Sequence, residues 1–181
     1  MSQAQGHVSG PSGRAMPPAS ASVEPQQYLT FLLGGETFAF SIQSVMEILQ
    51  YTDPTSVPMM PDCVRGVINL RGSVVPVMDL AIRFNRQSSP VGRRTCIVIL
   101  EIAVEGTMHR FGVLADAASE VLEIGADAIE PVPEFGVKID SRFVRGLGKV
   151  GAKFVVILNP EPLFGAEEIG ALAAPGADAS R

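Results

Sequence analysis

The sequence predicts a mainly β protein made of compact barrels rather than alternating strands and helices. Three observations lead there. Apolar runs of strand length recur at short intervals along the chain, and Gly and Pro punctuate the gaps between them. No stretch before residue 161 carries a helical period over three or four turns.

Each element follows from its local residues. Residues 28–33 and 36–42 are apolar runs joined by Gly34-Gly35, which tolerate the positive φ angles of a tight hairpin. Residues 45–51 make a further strand after one helical turn. Residues 55–61 hold Pro58 and Pro61, which exclude a regular helix or a central strand. Residues 62–65 suit a short helix. Residues 66–70 and 73–80 are two strands meeting at Arg71-Gly72, followed by a helical turn over 79–85. Residues 95–104 and 109–115 form a second hairpin about Glu105-Gly106, and 118–124 continue the strand pattern. Residues 129–135 contain Pro131 and Pro133 and read as extended. Residues 143–147 and 153–158 complete the strands, and 161–172 are rich in helix formers.

The ends differ from the body. Residues 1–25 are rich in Ser, Gly, Ala, Pro and Gln without hydrophobic period, which predicts a disordered tail. Residues 173–181 have the same character and predict a flexible C-terminus, leaving 26–172 as the folded body. Deleting the residues before Gln26 is therefore expected to leave thermal melting nearly unchanged. A drop of many degrees would show that the tail packs on the body.

Composition narrows function. The 181 residues carry 14 Lys and Arg against 19 Asp and Glu, a formal net charge of -5. Nucleic-acid binders usually present a basic face, so no nucleic-acid partner is expected. The longest apolar runs, 96–100 and 154–158, fall far short of the roughly 18 residues of a membrane helix, so no direct membrane insertion is expected. The N-terminus lacks the charged and apolar regions of a secretory signal. Cys63 and Cys96 stand apart, outside any CxxC pattern, and read as two buried thiols of a reduced compartment.

No catalytic constellation assembles. Gly146, Gly148 and Gly151 match GxGxxG, but a β-rich run follows them instead of the helix a dinucleotide needs. His7 lies in the tail, and His109 has no Cys, Asp or Glu at metal-ligand spacing. Asp116, Glu120 and Glu123 are scattered along a strand and read as an exposed face. The reading is a non-enzyme with no cofactor and no metal.

The informative segment is Gly66 to Leu80. Arg71, in a turn between two apolar strands, presents an always-charged fork. Its structural alternative is an ion pair with Glu47. Gly66 allows a close backbone approach, or marks a simple bulge.

These residues resemble a family. The run from Tyr28 through Phe31, Leu33-Gly34 and Glu36 is followed by Val45 with Glu47-Ile48. Then come Gly66-Val67-Ile68-Asn69-Leu70-Arg71-Gly72 and Val75-Pro76-Val77 with Asp79-Leu80. Phe111-Gly112-Val113 with Asp116, Val121-Leu122, Ile129 with Pro131 and Pro133-Glu134-Phe135, Gly146-Leu147-Gly148 and Val155 to Leu158 continue the match. In this order and spacing they are similar to the CheW-type chemotaxis coupling proteins, over nearly the whole body.

The resemblance implies two SH3-like five-stranded β-barrel subdomains sharing a hydrophobic core, with short helices and a C-terminal helix. It implies a cytoplasmic scaffold that couples transmembrane chemoreceptors to the chemotaxis histidine kinase in arrays. The implied partners are the hairpin tip of the receptor, held in a groove between the barrels, and the kinase regulatory domain. Glu47 and Arg71 match positions that matter for coupling. Val45, Gly66, Gly112 and Val121 match positions on or near the receptor groove, and Phe135 matches an apolar residue at a barrel-to-barrel contact. Val45, Val121 and Phe135 suit a core equally well. The same module also serves pathways for surface motility, pili or gene regulation.

Overall fold

The structure, a computed structural model, describes residues 24–133 and 138–165. β1 (Gln26–Leu33) and β2 (Glu36–Ser41) form the first hairpin, turned by Gly34 and Gly35 at φ 58° and 81°. A 3-10 turn at Ile42–Ser44 leads into β3 (Val45–Gln50). β4 (Val64–Leu70) and β5 (Ser73–Met78) pair about Arg71-Gly72. α1 (Leu80–Arg83) opens at Asp79, whose carboxylate accepts from the Ala81 N–H at 2.9 Å. β6 (Cys96–Val104) and β7 (Thr107–Ala115) form a further hairpin, and β8 (Ala117–Ile124) follows. A 3-10 turn at Ala126–Ala128 precedes β9 (Ile129–Glu130), and another at Ser141–Phe143 precedes β10 (Val144–Val150). β11 (Lys153–Leu158) and α2 (Pro160–Leu163) end the described chain.

Two expectations need correction. Residues 62–65 form no helix: a turn leads directly into β4, where buried Val64 pairs with Met78. The segment from 129 pairs with β10 at Ile129–Glu130, and Pro131 and Pro133 beyond it have no N–H to offer a ladder. Among the described residues the terminal helix is one turn, Pro160–Leu163. Its Pro160 fits a helix start, and Phe164 closes it by turning its ring into the core. The rest of the expected helix, from residue 166, lies outside the described residues. The glycine-rich run 146–151 is β10 and its turn, with β11 following instead of a helix.

The strands form two sheets, ordered β8-β1-β2-β11-β10-β9 and β3-β6-β7-β5-β4. Each has its own small core. Tyr28, Ala39, Ile124, Val155 and Ile157 fill the first, and Ile68, Val75, Val77, Ile97 and Ile99 are among those filling the second. A larger core lies between them, where Phe31, Phe38 and Phe40 of the first sheet meet Val98, Leu100 and Phe111 of the second. This is the mainly β, two-barrel architecture with a shared core. Each barrel has five main strands and one short addition. The addition is β9 in the first, and in the second a single bridge in which the Thr55 and Val67 backbones exchange hydrogen bonds at 2.8 and 2.9 Å.

The two barrels are copies of one plan. Val64-Arg65-Gly66 recurs 80 positions later as Val144-Arg145-Gly146, and both hairpins shift register at that point. The Asp79 N–H donates to Cys63 O at 2.7 Å, and the Asn159 N–H to Phe143 O at 2.8 Å. Val77 pairs in parallel with Gly112 as Ile157 does with Ala39. With this correspondence β8-β1-β2-β11-β10 maps strand for strand onto β3-β6-β7-β5-β4. Each half thus lends its leading hairpin to the other half's sheet. The exchange is tied by two phenylalanines at matching positions. Phe84, after α1, lies 5.7 Å from the Phe38 ring of its own half's hairpin. Phe164, after α2, stacks 4.0 Å from Phe111.

Cys63 and Cys96 are both buried and form no disulfide, and burial raises the Cys96 pKa. Among the described residues no helix is long and apolar enough to cross a membrane.

Candidate docking surface

β3 and β4 are the two edges of the second sheet. The β4–β5 turn brings Arg71 back over β3, where its Nη2 meets Glu47 Oε2 at 3.0 Å. Arg71 sits at φ 52°, and Asn69 Oδ1 braces the turn by accepting from the Gly72 N–H at 2.9 Å. The pair therefore spans from one edge of the sheet to the other. The ion-pair alternative for Arg71 is the one formed, and its side chain stays 75% exposed while paired. An exposed pair contributes at most about 1 kcal/mol of stability, so its value is mainly orientation. Glu47 Oε1 is buried and has no donor among the described residues.

Around this clasp the sequence-derived positions divide. Val45 is half-buried and packs against the shared core. Val121 lies on edge strand β8, opposite Leu29, and is 49% exposed. Gly66 and Gly112 are buried. A Cβ on Gly112 would meet side chains of Ile97 and Val77 at 2.8 and 3.2 Å, so its place in the barrel interior demands a missing side chain. Phe135 lies outside the described residues. The structure brings Glu47 and Arg71 into contact, and sets Val121 on the other sheet.

Sequence reasoning missed three exposed apolar side chains on the elements the clasp joins. Met46 and Ile48 flank Glu47 on the outer face of β3, and Val74 on β5 is 71% exposed. Their signal was alternation. Val45, Glu47 and Leu49 point inward and are half-buried, so Met46 and Ile48 must point out. Apolar side chains on an edge strand beside an exposed arginine suit a protein partner.

A CheW-like domain model matches residues 27–168 of this chain. The chain belongs to the CheW-like family. It is 33% identical over 144 residues to the chemotaxis protein CheW of Klebsiella aerogenes, covering 80% of this chain and 84% of that one. Its structure resembles the crystal structure of the scaffolding protein TtCheW from Thermoanaerobacter tengcongensis. The TM-score there is 0.71 at 33% identity, over 80% of this chain and 90% of the other. A shorter match, 28% identical over 86 residues and 48% of each chain, is to Protein PilI of Pseudomonas aeruginosa. The CheW-like assignment agrees with both the two-barrel fold and the motif order.

Proposed function

We propose that this CheW-like chain is a non-enzymatic adaptor that couples chemoreceptors to a chemotaxis histidine kinase, cytoplasmic and associated with membrane receptor arrays. The supporting observation is the Glu47–Arg71 clasp, an exposed charge pair beside Met46 and Ile48 on edge strand β3 and Val74 on β5. In this reading the kinase regulatory domain and the receptor's hairpin tip are its partners. Val45, Glu47, Gly66, Arg71, Gly112, Val121 and Phe135 shape or supply the contacts. The mechanism is a population shift: receptor conformation alters how coupler and kinase pack, which biases the kinase between its states.

Arg71→Glu tests the clasp. It sets two carboxylates face to face on an exposed edge, so the melting temperature changes by a few degrees at most. Affinity for the regulatory domain of the organism's chemotaxis kinase, measured by calorimetry, is expected to fall about tenfold or more, since truncating a buried charge contact at an interface typically costs over 2 kcal/mol. Adding Glu47→Arg restores the melt but not the binding. A double variant that recovers full affinity would mean that Arg71 acts only through its pair with residue 47.

The PilI relative favours a second reading, in which the chain couples a non-flagellar chemosensory pathway for surface motility, pili or gene regulation. Parallel titrations against the regulatory domains of each kinase in the organism separate the two.

A further inference from the structure

Every lysine of the chain lies between residues 138 and 153: Lys138, Lys149 and Lys153. Arg142 and Arg145 lie in the same stretch, whose one carboxylate, Asp140, is already paired with Arg142 at 2.7 Å. The stretch is therefore basic, in a chain whose formal net charge is -5. Folding gathers the lysines around one aromatic ring. Lys149 stands opposite Phe154 in the β10–β11 ladder, and Lys153 directly precedes Phe154. Lys138, Lys153 and Phe154 line one open groove of about 860 Å3, with buried Ile139 and Val155 beneath them. All three lysines are exposed, and Phe154 is 53% exposed.

The lysines form none of the ion pairs that brace the fold. Arg65, Arg71, Arg86, Arg110 and Arg142 each meet a carboxylate. Among the described residues none of the three lysines does. Two carboxylates also line the groove. Glu36 is taken by Arg86 at 2.7 Å, so Lys138 and Lys153 outnumber Glu120, the unpaired one.

The other barrel shows that the hairpin does not need these side chains. At the matching positions of β4 and β5 stand Asn69 for Lys149, Ser73 for Lys153 and Val74 for Phe154. The register is the same, with Asn69 opposite Val74. An exposed apolar residue is thus present in both copies, and the cations are present in one. Charge that the fold does not use, set around an exposed ring, has the layout of a docking surface with an apolar centre and a polar rim.

We propose that this lysine face of the first barrel docks an acidic segment of a protein partner, with an apolar side chain of that segment on Phe154 and its carboxylates on the three ammonium groups. The chemistry of the segment rests on charge complementarity, and its belonging to a coupling partner rests on the adaptor reading above. A chain that bridges two partners needs two separate faces. The Glu47–Arg71 clasp lies on the second barrel and the lysine face on the first. Ammonium groups on flexible stems meet carboxylates in many geometries, which suits an irregular acidic segment.

The test uses the full chain in two variants: Lys138→Gln, Lys149→Gln and Lys153→Gln combined, and Phe154→Ser alone. Each is titrated by calorimetry against the kinase regulatory domain and against the receptor hairpin tip, at ionic strengths of about 0.05 and about 0.5 M. Both variants are expected to melt with the parent, because every side chain changed is exposed. For one of the two partners the parent's affinity falls steeply with salt. There the triple variant binds about tenfold more weakly at low salt and loses the salt dependence, and Phe154→Ser also binds more weakly. Lys138→Arg, Lys149→Arg and Lys153→Arg together keep the binding. A triple Gln variant that binds both partners as the parent does, at both ionic strengths, would overturn the lysine face and leave the adaptor reading standing. A parent that binds neither partner would overturn both. Binding to phosphatidylserine vesicles that the triple Gln variant loses, with its partner affinities unchanged, would give the face to a membrane surface and overturn the acidic segment.

Discussion

Phe164→Ala is expected to lower stability by about 3–5 kcal/mol, and with it the melting temperature by about 10 °C. The ring is 1% exposed and stacks on Phe111 at 4.0 Å, inside the core that both barrels share. Its removal leaves a ring-sized void that stiff neighbouring strands cannot close. Phe84→Ala, at the matching position, is expected to cost a similar amount, because Phe84 bridges Phe38 of the first hairpin and Phe143 at 6.0 Å. Both should melt in one transition by circular dichroism and by calorimetry, since a hairpin exchanged between halves ties the sheets together. Met59→Ser, at a side chain that is 99% exposed, is the control and should melt with the parent. Two separated transitions in either phenylalanine variant would mean that the barrels fold independently and that the shared core contributes little.

Much of this fold is legible locally. Gly34-Gly35, Arg71-Gly72 and Glu105-Gly106 mark three of the four two-residue hairpin turns, and apolar runs on either side declare the strands. Asp79 before Leu80 is a sound helix start. Long-range pairing is another matter. That β2 runs beside β11, and β7 beside β5, depends on the exchange of hairpins, which no window of neighbouring residues encodes. The trace it does leave, Val64-Arg65-Gly66 against Val144-Arg145-Gly146, is only three residues long. Residues 62–65 look helical because Asp62 and Arg65 suit a helix turn, yet buried Val64 is claimed by the sheet. At the docking surface, Glu47 and Arg71 are charged residues in apolar strands and stand out. Met46 and Ile48 do not, because an exposed apolar residue in a strand has the same letter code as a buried one.

Gly66→Ala is the second large effect expected, and its cause is backbone. A Cβ there would lie 2.3 Å from Thr55 O and 2.7 Å from Thr55 C, and the φ of 147° disfavours any L side chain. A flexible side chain can swing aside, but Thr55 is held by two backbone hydrogen bonds to Val67. Relief therefore means breaking that bridge, at about 1 kcal/mol per bond, beyond about 1–3 kcal/mol of conformational strain. A melting temperature lower by about 10 °C is expected. Gly112→Ala should cost less, because the clash at 2.8 Å is with the Ile97 side chain. The comparison also bears on coupling. If Gly66 shapes the surface through the path of residues 51–63, then Gly66→Ala loses binding and stability together. Lost binding with an unchanged melt would instead make the Gly66 backbone itself a partner contact, and would overturn the steric account.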